Sequence, residues 1–371
     1  MRVLVAPDSF GGTLTPREAA GAIARGWGRA RPDDELDLLP LSDGGEGLLE
    51  VLERPGEVRR TLEVVGPLGT PVEATFLLGP DGRAVVESAA AAGLALVEPA
   101  RRDPLVTTSW GVGQLIAAAL AAGSRHLLVG LGGSATVDGG AGALSALGLR
   151  LRVEDGSGLK IGGGELGRVA RIERGSAPTA VDVTIELLVD VTTPLTEAAV
   201  RFGPQKGADP AAVSILTEGL ARWAAVVARD LPGGPEATAP GTGAAGGLGH
   251  GLAAALGAPL VPGAARVAEL VGLDPALAAA DVVVTGEGRL DATSAEGKVL
   301  GHVVARARAS GRPVVAVVGS LGTRLDGPHP GRLDDLEVSA PDGPGQGPIE
   351  EVEAAAERLA RRVGEHVLAG P

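Results

Sequence analysis

Short polar clusters follow several predicted strands, and their residue types suit phosphate and metal chemistry. In segment 281–291 an apolar strand over Asp281–Val284 is expected to be followed by a turn. That turn carries a hydroxyl, two glycines, two carboxylates and a guanidinium, namely Thr285, Gly286, Glu287, Gly288, Arg289 and Asp291. In an open α/β sheet, ligands bind beyond the carboxyl ends of the strands. The segment therefore predicts a phosphate and metal site, or else an ordinary turn with solvated charges.

The same layout recurs after other predicted strands in the outer parts of the chain. The polar residues there are Asp8 with Ser9, the run Asp43–Glu46, and Gly319 with Ser320. Parallel strands place their carboxyl ends at one edge of the sheet, so these clusters are expected to converge there. Packing requires none of these carboxylates, whereas phosphoryl transfer uses such groups to bind Mg²⁺ and to accept a proton. The candidate magnesium ligands are Asp8, Asp43, Glu287 and Asp291.

A glycine-rich loop, Gly130–Gly142, follows the predicted strand His126–Val129. Consecutive backbone N–H groups in such a loop can cradle an anion, and Ser134 and Thr136 add hydroxyl groups. A tight turn packed under a helix would use the same residues. Glycine costs folding entropy, which favours a function for so many of them.

Lysine is scarce, since Lys160, Lys206 and Lys298 are the only lysines among 33 basic residues. A compact ammonium group is not equivalent to a planar guanidinium. Lys206 follows Gln205 in a loop bounded by glycine and proline, where it is expected to meet an anion. Lys298 lies at a predicted helix start, where its charge opposes the helix dipole, and this also indicates a phosphate partner.

The composition indicates a globular, acidic protein. The chain has 371 residues, 44% of them hydrophobic, with a net charge of −13 and a pI near 5.0. This size predicts two domains, and the charge argues against nucleic-acid or anionic-membrane partners. The absence of cysteine excludes disulfides and thiolate chemistry. The apolar runs are interpreted as too short to span a bilayer, and a strand beginning at Arg2 leaves no room for a signal peptide, so a cytoplasmic protein is expected.

The rhythm of predicted elements changes within the chain. The sequence Thr15-Pro16-Arg17-Glu18 predicts a capping box that opens a helix after the first strand. Strand-like segments joined by tight turns follow, as in an antiparallel meander, over Thr61–Val65, Val72–Leu78 and Ala84–Glu87. The expected fold is therefore α/β. Residues 1–60 and 275–371 form a doubly wound parallel-sheet domain, which is interrupted by an α/β domain with a mixed sheet over residues 61–274.

Several enzyme classes can be compared with the sequence directly. It contains neither a P-loop motif nor a nucleophile elbow, and its histidines lack metal-ligand spacing. A dinucleotide fingerprint, Gly130-x-Gly132-x-x-Ala135, follows a strand, and Glu154 and Asp155 lie about 20 residues further on. An NAD(P)-dependent hydroxy-acid dehydrogenase therefore stays open as an alternative. A third possibility is a non-catalytic solute-binding protein or sensor.

The motifs together resemble those of a known family. In chain order they are APDSFGGTLTPREAA, LSDGGEG, GLGGSATVDGGAG, FGPQKGA, GTGAAGGLG, VVVTGEGRLD followed by GK at 297–298, and VVGSLG. They are similar to the motifs of bacterial glycerate kinases, from the first strand to about Gly322. The resemblance implies ATP, Mg²⁺ and D-glycerate as reactants, with 2-phosphoglycerate the commoner product. It also implies a flavodoxin-like domain interrupted by a second α/β domain.

Three departures from the family pattern bear on substrate and turnover, and one of them is the segment Thr193-Pro194-Leu195, which stands where the family commonly has NPL. Gly11 stands where the family commonly has lysine, and Val137 stands where it commonly has asparagine. A kinase acting on a related hydroxy acid is therefore a further alternative.

On the glycerate kinase interpretation, each candidate residue has an expected role. The expected catalytic residues are Asp190, as the base, with Lys206 and Asp43. Expected to bind substrate are Asp8, Ser9, Gly132, Gly133, Ser134, Thr136, Asp138 and Gln205. Expected to bind the nucleotide are Gly44, Gly45, Glu46, Gly243, Gly246, Gly247, Thr285, Gly286, Glu287, Gly288, Arg289 and Lys298. The active site is expected in a cleft between the domains of a monomer or homodimer, with no nucleic-acid or membrane partner.

Overall fold

The computed structural model of the chain describes residues 1–175, 183–291, 294, 298–322, 333–339 and 348–366. By their internal contacts the residues form two compact units, one of Met1–Leu52 with Gly263–Pro371 and one of Glu53–Pro262. These limits differ from the sequence-based boundaries at residues 60 and 275. The reason is that the strand over 58–65 belongs to a sheet of the second unit, and two helices over 263–279 pack in the first.

Strands and helices alternate through much of the described chain. The strands are β1 (Arg2–Val5), β2 (Glu35–Leu38), β3 (Val58–Val65), β4 (Pro71–Leu78), β5 (Arg83–Glu87), β6 (His126–Gly130), β7 (Arg150–Val153), β8 (Val169–Glu173), β9 (Thr184–Val189), β10 (Leu260–Pro262), β11 (Val282–Leu290), β12 (Val314–Leu321) and β13 (Asp335–Val338). The helices are α1 (Pro16–Ala30), α2 (Leu48–Leu52), α3 (Ala89–Ala92), α4 (Trp110–Ala121), α5 (Ala141–Ala146), α6 (Ala198–Phe202), α7 (Pro210–Asp230), α8 (Leu248–Leu256), α9 (Gly263–Val271), α10 (Leu273–Ala279), α11 (Val299–Ala309) and α12 (Pro348–His366). Short 3₁₀ turns include Pro204–Lys206 and Ala244–Gly247.

A parallel sheet of five strands forms the centre of the first unit. The strand order is β13-β12-β11-β1-β2, and every neighbouring pair is parallel. Counted along this unit, the order is 2-1-3-4-5, the flavodoxin-like arrangement that the family resemblance implied. The order reverses between β1 and β11, and ligands bind at such a switch point in doubly wound sheets. The residues that follow β1 and end β11 therefore lie at the natural binding edge.

The first helix forms as its sequence predicts. Thr15 accepts a hydrogen bond from the Glu18 N–H at 3.2 Å, and the Glu18 carboxylate accepts one from the Thr15 N–H at 2.9 Å. This capping box satisfies N–H groups that a helix start otherwise leaves unpaired. Ala19, Ile23 and Trp27 are fully buried on one face and pack in a core that also includes residues of α12. This burial fixes α1 against the sheet, directly after the loop that carries Asp8.

Strand β11 corrects one prediction from the sequence. The predicted turn over Thr285–Arg289 does not form, because β11 continues to Leu290 and pairs with β12 as far as Leu321. Gly286 and Gly288 allow neighbouring backbone to approach β11 more closely than a side chain would permit. A Cβ on Gly286 would overlap the carbonyl oxygen of Val317, and one on Gly288 would lie 2.9 Å from the carbonyl carbon of Phe10. The extended strand carries Glu287 and Arg289 on one face.

The second unit contains a mixed sheet of six strands in the order β10-β9-β6-β5-β4-β3. Strands β3, β4 and β5 pair antiparallel, as the meander pattern predicted, and the remaining pairs are parallel. Strands β7 and β8 form a separate antiparallel pair. The sequence pattern did not predict β8 or the three-residue β10. The loop after β6 and the residue after β9 both lie at the carboxyl ends of adjacent parallel strands.

Helix α7 has the length and apolar composition that could cross a membrane, with a mean hydropathy of 1.4 over 18 residues. This differs from the expectation that no apolar segment is long enough. Leu216, Leu220 and Trp223 of this helix are buried in the core of the second unit. Its apolar face is therefore accounted for by packing within a globular unit.

Candidate functional site

A pocket of about 670 Å³ opens at the carboxyl edge of the parallel sheet in the first unit. We call it the acidic pocket. It is surrounded by residues that follow β1, β2 and β13, by the ends of β11 and β12, and by the first turn of α12. Its charged and hydroxyl-bearing lining residues are Asp8, Ser9, Thr13, Asp43, Glu287, Arg289, Asp291, Lys298, Ser320, Ser339 and Glu351. The convergence predicted from the sequence is thus present for Asp8, Asp43, Glu287 and Asp291.

Local hydrogen bonds hold the two aspartates of the acidic pocket. One carboxylate oxygen of Asp8 accepts from the Ser9 N–H at 2.6 Å, and the Asp8 N–H donates to the carbonyl of Gly286 at 2.9 Å. One oxygen of Asp43 accepts from the Gly45 N–H at 3.0 Å. These turns use one oxygen of each carboxylate, so they orient the side chains without saturating their acceptor capacity.

The carboxylates of the acidic pocket raise one another's affinity for protons. Burial, then the charges of Asp43 and Glu287, raise the pKa of Asp8 well above its usual value. Burial likewise raises the pKa of Asp43. Burial, with Asp291 and Asp43 nearby, raises the pKa of Glu287 to about 7. Lys298 opposes all three shifts, and a bound cation would oppose them further.

These residues fit a magnesium ion that takes most of its ligands from elsewhere. Glu287 is 6% exposed, and its Oε1 has no hydrogen-bond partner among the described residues. Within the same described part of the chain, no three acidic or histidine side chains lie close enough together to form a complete metal cage. Mg²⁺ usually binds one or two carboxylates and completes its shell with phosphate oxygens and water. The acidic pocket has the donor set for that arrangement.

A second and much smaller pocket, of about 90 Å³, lies in the second unit. We call it the Lys206 pocket. It is formed by the start of the loop after β6, the residue that follows β9, and the turn Pro204–Lys206. The predicted site residues among its lining are Gly132, Gly133, Ser134, Asp190, Gln205 and Lys206.

Lys206 is almost fully buried in this pocket, at 3% exposure. Its Nζ donates to the Ser134 hydroxyl at 3.0 Å and to the carbonyl of Thr136 at 2.8 Å. Burial lowers the pKa of Lys206 to about 7, against the opposing charges of Asp138 and Asp190. A protonated amine has three donors, so one remains beyond these two bonds for an anionic ligand.

Asp138 and Thr136 form the frame of the glycine-rich loop and do not line the Lys206 pocket, so their predicted substrate-binding roles stay predictions. The Asp138 carboxylate is fully buried and accepts from the Ser109 N–H and hydroxyl, both at 2.8 Å, and from the N–H groups of Gly140 and Gly142. Thr136 is also fully buried and reaches Lys206 only through its carbonyl oxygen. The carboxylate thus ties the loop to the start of α4.

The glycines at 243, 246 and 247 also have structural roles, where nucleotide binding was predicted. All three are buried and lie outside the lining of the Lys206 pocket. A Cβ on Gly246 would overlap the carbonyl oxygen of Thr136, and the Gly246 carbonyl accepts from the Gly139 N–H at 3.1 Å. The segment therefore packs against the glycine-rich loop, and the predicted nucleotide contact of these glycines stays a prediction.

Five further predicted nucleotide contacts lie outside the acidic pocket. Gly44 and Gly45 are buried beside Asp43, and Glu46 is exposed. Thr285 is buried and donates to the carbonyl of Ala6 at 2.9 Å, which links β11 to β1, and Gly286 serves the close packing described above. These residues are close in sequence to Asp43 or Glu287 and resemble the residues that line the acidic pocket. Neither residue type nor closeness in sequence therefore shows which residues line the pocket and which support its walls.

The GK motif at 297–298 is described only in part. Lys298 lines the acidic pocket, as its predicted contact with phosphate requires. Gly297, the first residue of that motif, lies outside the described residues.

Several lining residues were not predicted. Phe10, Glu351 and Val352 line the acidic pocket, and Phe202 and Ala245 line the Lys206 pocket. Phe10 carries a usable signal, because the whole chain has three phenylalanines and this one follows Ser9 directly. Nothing local in the sequence indicates that the first turn of α12 reaches the same sheet edge as Asp8.

With this geometry in place, comparison with known proteins identifies the family. The sequence model of the Glycerate kinase family matches residues 3–369. The chain belongs to the glycerate kinase family. A glycerate kinase of Bacillus subtilis (strain 168) is 40% identical over 368 residues, which cover 97% of this chain and 95% of that protein. A glycerate 2-kinase of Escherichia coli (strain K12) is 41% identical over 327 residues, 86% of each chain.

A solved structure supports the same family and the fold. A chain described as a glycerate kinase 2 from Salmonella typhimurium LT2 superposes with a TM-score of 0.80 at 40% identity, over 100% of this chain and 99% of that one. The recognition of a glycerate kinase from its motifs is confirmed, and so is the α/β fold class.

The dehydrogenase alternative does not match the geometry of this glycerate kinase family member. A dinucleotide site needs a helix that begins directly after the glycine fingerprint. Here the next helix, α5, begins at Ala141 and has six residues. Glu154, one of the two acidic residues that follow the fingerprint, has an 86% exposed side chain beside Arg222 and does not line the Lys206 pocket with Gly132.

Two of the three departures from the family pattern, Gly11 and Val137, have different surroundings. Gly11 lines the acidic pocket, and a Cβ built on it would meet no atom within 4 Å. Val137 is fully buried in the apolar core of the second unit. Gly11 is thus placed to influence ligand binding directly, whereas Val137 acts through packing.

Proposed function

We propose that this chain is an ATP-dependent kinase that phosphorylates D-glycerate at its 2-hydroxyl group and releases 2-phosphoglycerate and ADP. The observation that carries the proposal is the acidic pocket, with three carboxyl groups of raised pKa and a lysine at the switch point of a doubly wound sheet. Such a pocket suits a magnesium-bound polyphosphate, and the chain belongs to the glycerate kinase family.

The sizes of the two pockets favour different ligands. Pockets for cofactor-sized ligands measure about 300–1,000 Å³, so the acidic pocket suits ATP. The Lys206 pocket holds the volume of about three water molecules, which suits a small organic acid and not a nucleotide. We therefore place ATP with Mg²⁺ in the first unit and D-glycerate in the second.

The residues of each pocket then have defined roles. One or two of the carboxylates Asp8, Asp43, Glu287 and Asp291 would bind Mg²⁺, which would neutralise charge on the phosphates. Arg289 and Lys298 provide positive charge for the same phosphates. Preorganised charges of this kind account for most of the catalysis in phosphoryl transfer.

In the Lys206 pocket, Lys206 and the Ser134 hydroxyl bind the glycerate carboxylate. Asp190 accepts the proton of the 2-hydroxyl as its oxygen forms a bond to the γ-phosphorus. The bond between that phosphorus and the β-phosphate oxygen breaks, and ADP leaves. A base in this role contributes about 10²–10⁴-fold to turnover.

The decisive assay is coupled ADP release with purified protein, ATP, Mg²⁺ and D-glycerate. Glycerate-dependent ADP supports the proposal, and phosphorus NMR of the product assigns the position. A phosphate on carbon 2 couples to a single methine proton and gives a doublet, whereas one on carbon 3 couples to two protons and gives a triplet. ADP release independent of glycerate, or NADH binding without any ADP, contradicts the proposal.

Asp190→Asn tests the assignment of the base. The variant is expected to lose about 10²–10⁴-fold in kcat with an unchanged circular dichroism spectrum. Asp155→Asn is the matched control, since Asp155 is an exposed aspartate of the same unit outside the Lys206 pocket. Full turnover by folded Asp190→Asn would rule out this role.

A further inference from the structure

Ala245 has a backbone conformation that this chain otherwise gives to glycine. Its φ is 52° and its ψ is 37°, in the left-handed region that residues with a Cβ rarely adopt. Among the described residues, 23 others have positive φ, and all of them are glycines. The next two residues, Gly246 and Gly247, are also left-handed, at 67° and 91°. A methyl group at position 245 is therefore kept against the local preference, which points to a function for it.

The position of Ala245 suggests what the methyl group does. Ala245 lines the Lys206 pocket, together with Asp190 and Lys206. No other residue of the turn Ala244–Gly247 lines that pocket, and Ala244 is fully buried elsewhere in the core. In a cavity of about 90 Å³, the volume of one methyl group is a substantial fraction of the space open to a ligand.

We propose that Ala245 determines substrate specificity, because its methyl group limits the Lys206 pocket to three-carbon hydroxy acids and excludes their four-carbon homologues. This rests on the proposed function, which places D-glycerate in that pocket. A close-packed wall rejects an additional carbon by overlap, since neighbouring residues in a packed core yield little. The carboxylate and 2-hydroxyl end of the acid is held at Lys206 and Asp190, so extra length must be accommodated at another wall.

Ala245 also packs with the core of the second unit, and this gives a competing explanation. A methyl group kept only for packing would affect stability and leave substrate choice unchanged. Ala244 offers a matched control, because it is a buried alanine of the same turn that does not line the pocket.

The test compares kcat/KM for D-glycerate and for D-erythronate, the homologue with one further carbon, in the full chain with ATP and Mg²⁺. Ala245→Gly keeps a conformation that glycine adopts readily. It is expected to reduce the preference for D-glycerate by about tenfold or more, chiefly by lowering KM for D-erythronate. Ala244→Gly is expected to keep the wild-type preference. A wild-type preference in Ala245→Gly, or an equal loss of preference in both variants, overturns the proposal.

A binding measurement separates this proposal from the proposed function. Dissociation constants of the two acids, from titration calorimetry without ATP, give the same ratio without turnover. If the wild-type protein binds D-glycerate but releases no ADP, the kinase proposal fails, whereas the ratio of dissociation constants still tests Ala245. Ala245→Ser is a second variant with a larger side chain, and it is expected to weaken D-glycerate binding. Unchanged ratios in Ala245→Gly together with unchanged affinity in Ala245→Ser would refute a role in specificity.

Discussion

Replacing Lys206 by methionine is expected to make the second unit more stable near neutral pH while it abolishes glycerate-dependent turnover. The buried ammonium is held by two hydrogen bonds, and burial lowers the pKa of Lys206 from 10.5 to about 7. One pKa unit corresponds to about 1.4 kcal/mol, so keeping the charged form buried costs folding up to about 5 kcal/mol. Methionine has a similar shape and carries no charge.

The sign of the pH dependence follows from linkage. Below pH 7, Lys206 is protonated in both the folded and the unfolded chain, so its whole cost is present. Between pH 7 and 10.5 the unfolded chain keeps the proton and the folded chain does not, so wild-type stability rises by about 1.4 kcal/mol per pH unit. The stability advantage of Lys206→Met should therefore shrink by about 2–3 kcal/mol from pH 7 to pH 9.

The loss of two hydrogen bonds opposes the stability advantage of Lys206→Met, and this loss does not depend on pH. The variant leaves the Ser134 hydroxyl and the Thr136 carbonyl without their donor, which costs about 1–3 kcal/mol. The net gain at pH 6 is then about 2–4 kcal/mol. The slope with pH is the diagnostic quantity, because it is independent of this offset.

Urea unfolding at pH 6, 7, 8 and 9, followed by tryptophan fluorescence, measures the difference. Trp223 is fully buried in the core of the second unit. The wild-type and Lys206→Met proteins both also carry Trp27→Phe and Trp110→Phe, so that Trp223 is the sole tryptophan fluorophore. Lys160→Met, a change at an exposed lysine of the same unit, is the control and should show no such slope. A difference that stays constant or grows from pH 7 to pH 9 would refute the lowered pKa.

Three further changes test other parts of the structure. Glu287→Gln should lower kcat/KM for magnesium-ATP by at least about tenfold, whereas Glu46→Gln, at an exposed position outside the acidic pocket, should leave the magnesium titration unchanged. Gly246→Ala should destabilise the second unit by about 3 kcal/mol or more in urea unfolding, because its Cβ would overlap a carbonyl oxygen at a φ of 67°; Gly167→Ala, which meets no atom within 4 Å, should change stability by less than about 1 kcal/mol. Thr15→Ala should cost the first unit about 1 kcal/mol through loss of the capping box, and an unchanged urea midpoint would show that the cap is dispensable.

Much of the candidate site was accessible from the sequence because it depends on local rules. Asp8 and Asp43 were found because polar residues that follow apolar strands lie at the carboxyl edge of a parallel sheet, and Glu287 was found because it lies near the carboxyl end of β11. Lys206 was found because lysine is rare in this chain and the residue lies in a constrained turn. Neither inference requires knowledge of which strands are neighbours.

Other roles depended on which segments pack together. The sequence predicted a turn at Gly286 and Gly288, but β11 stays extended there because β12 and Phe10 approach its backbone closely. Asp138 was predicted to bind substrate, but its carboxylate is satisfied by Ser109, which lies 29 residues earlier in the chain. Glycine has the same sequence signal whether it makes room for a ligand or for another backbone.

The sequence by itself therefore determined the family, the capping box of α1 and the edge of the sheet at which the acidic groups meet. Periodicity, capping and the chemistry of residue types are local properties, and a chain expresses them without regard to distant partners. The tertiary structure alone decided which polar groups face a pocket and which are consumed inside the fold. That choice depends on burial and on hydrogen-bond partners far away in the chain, and these exist only once the units have packed.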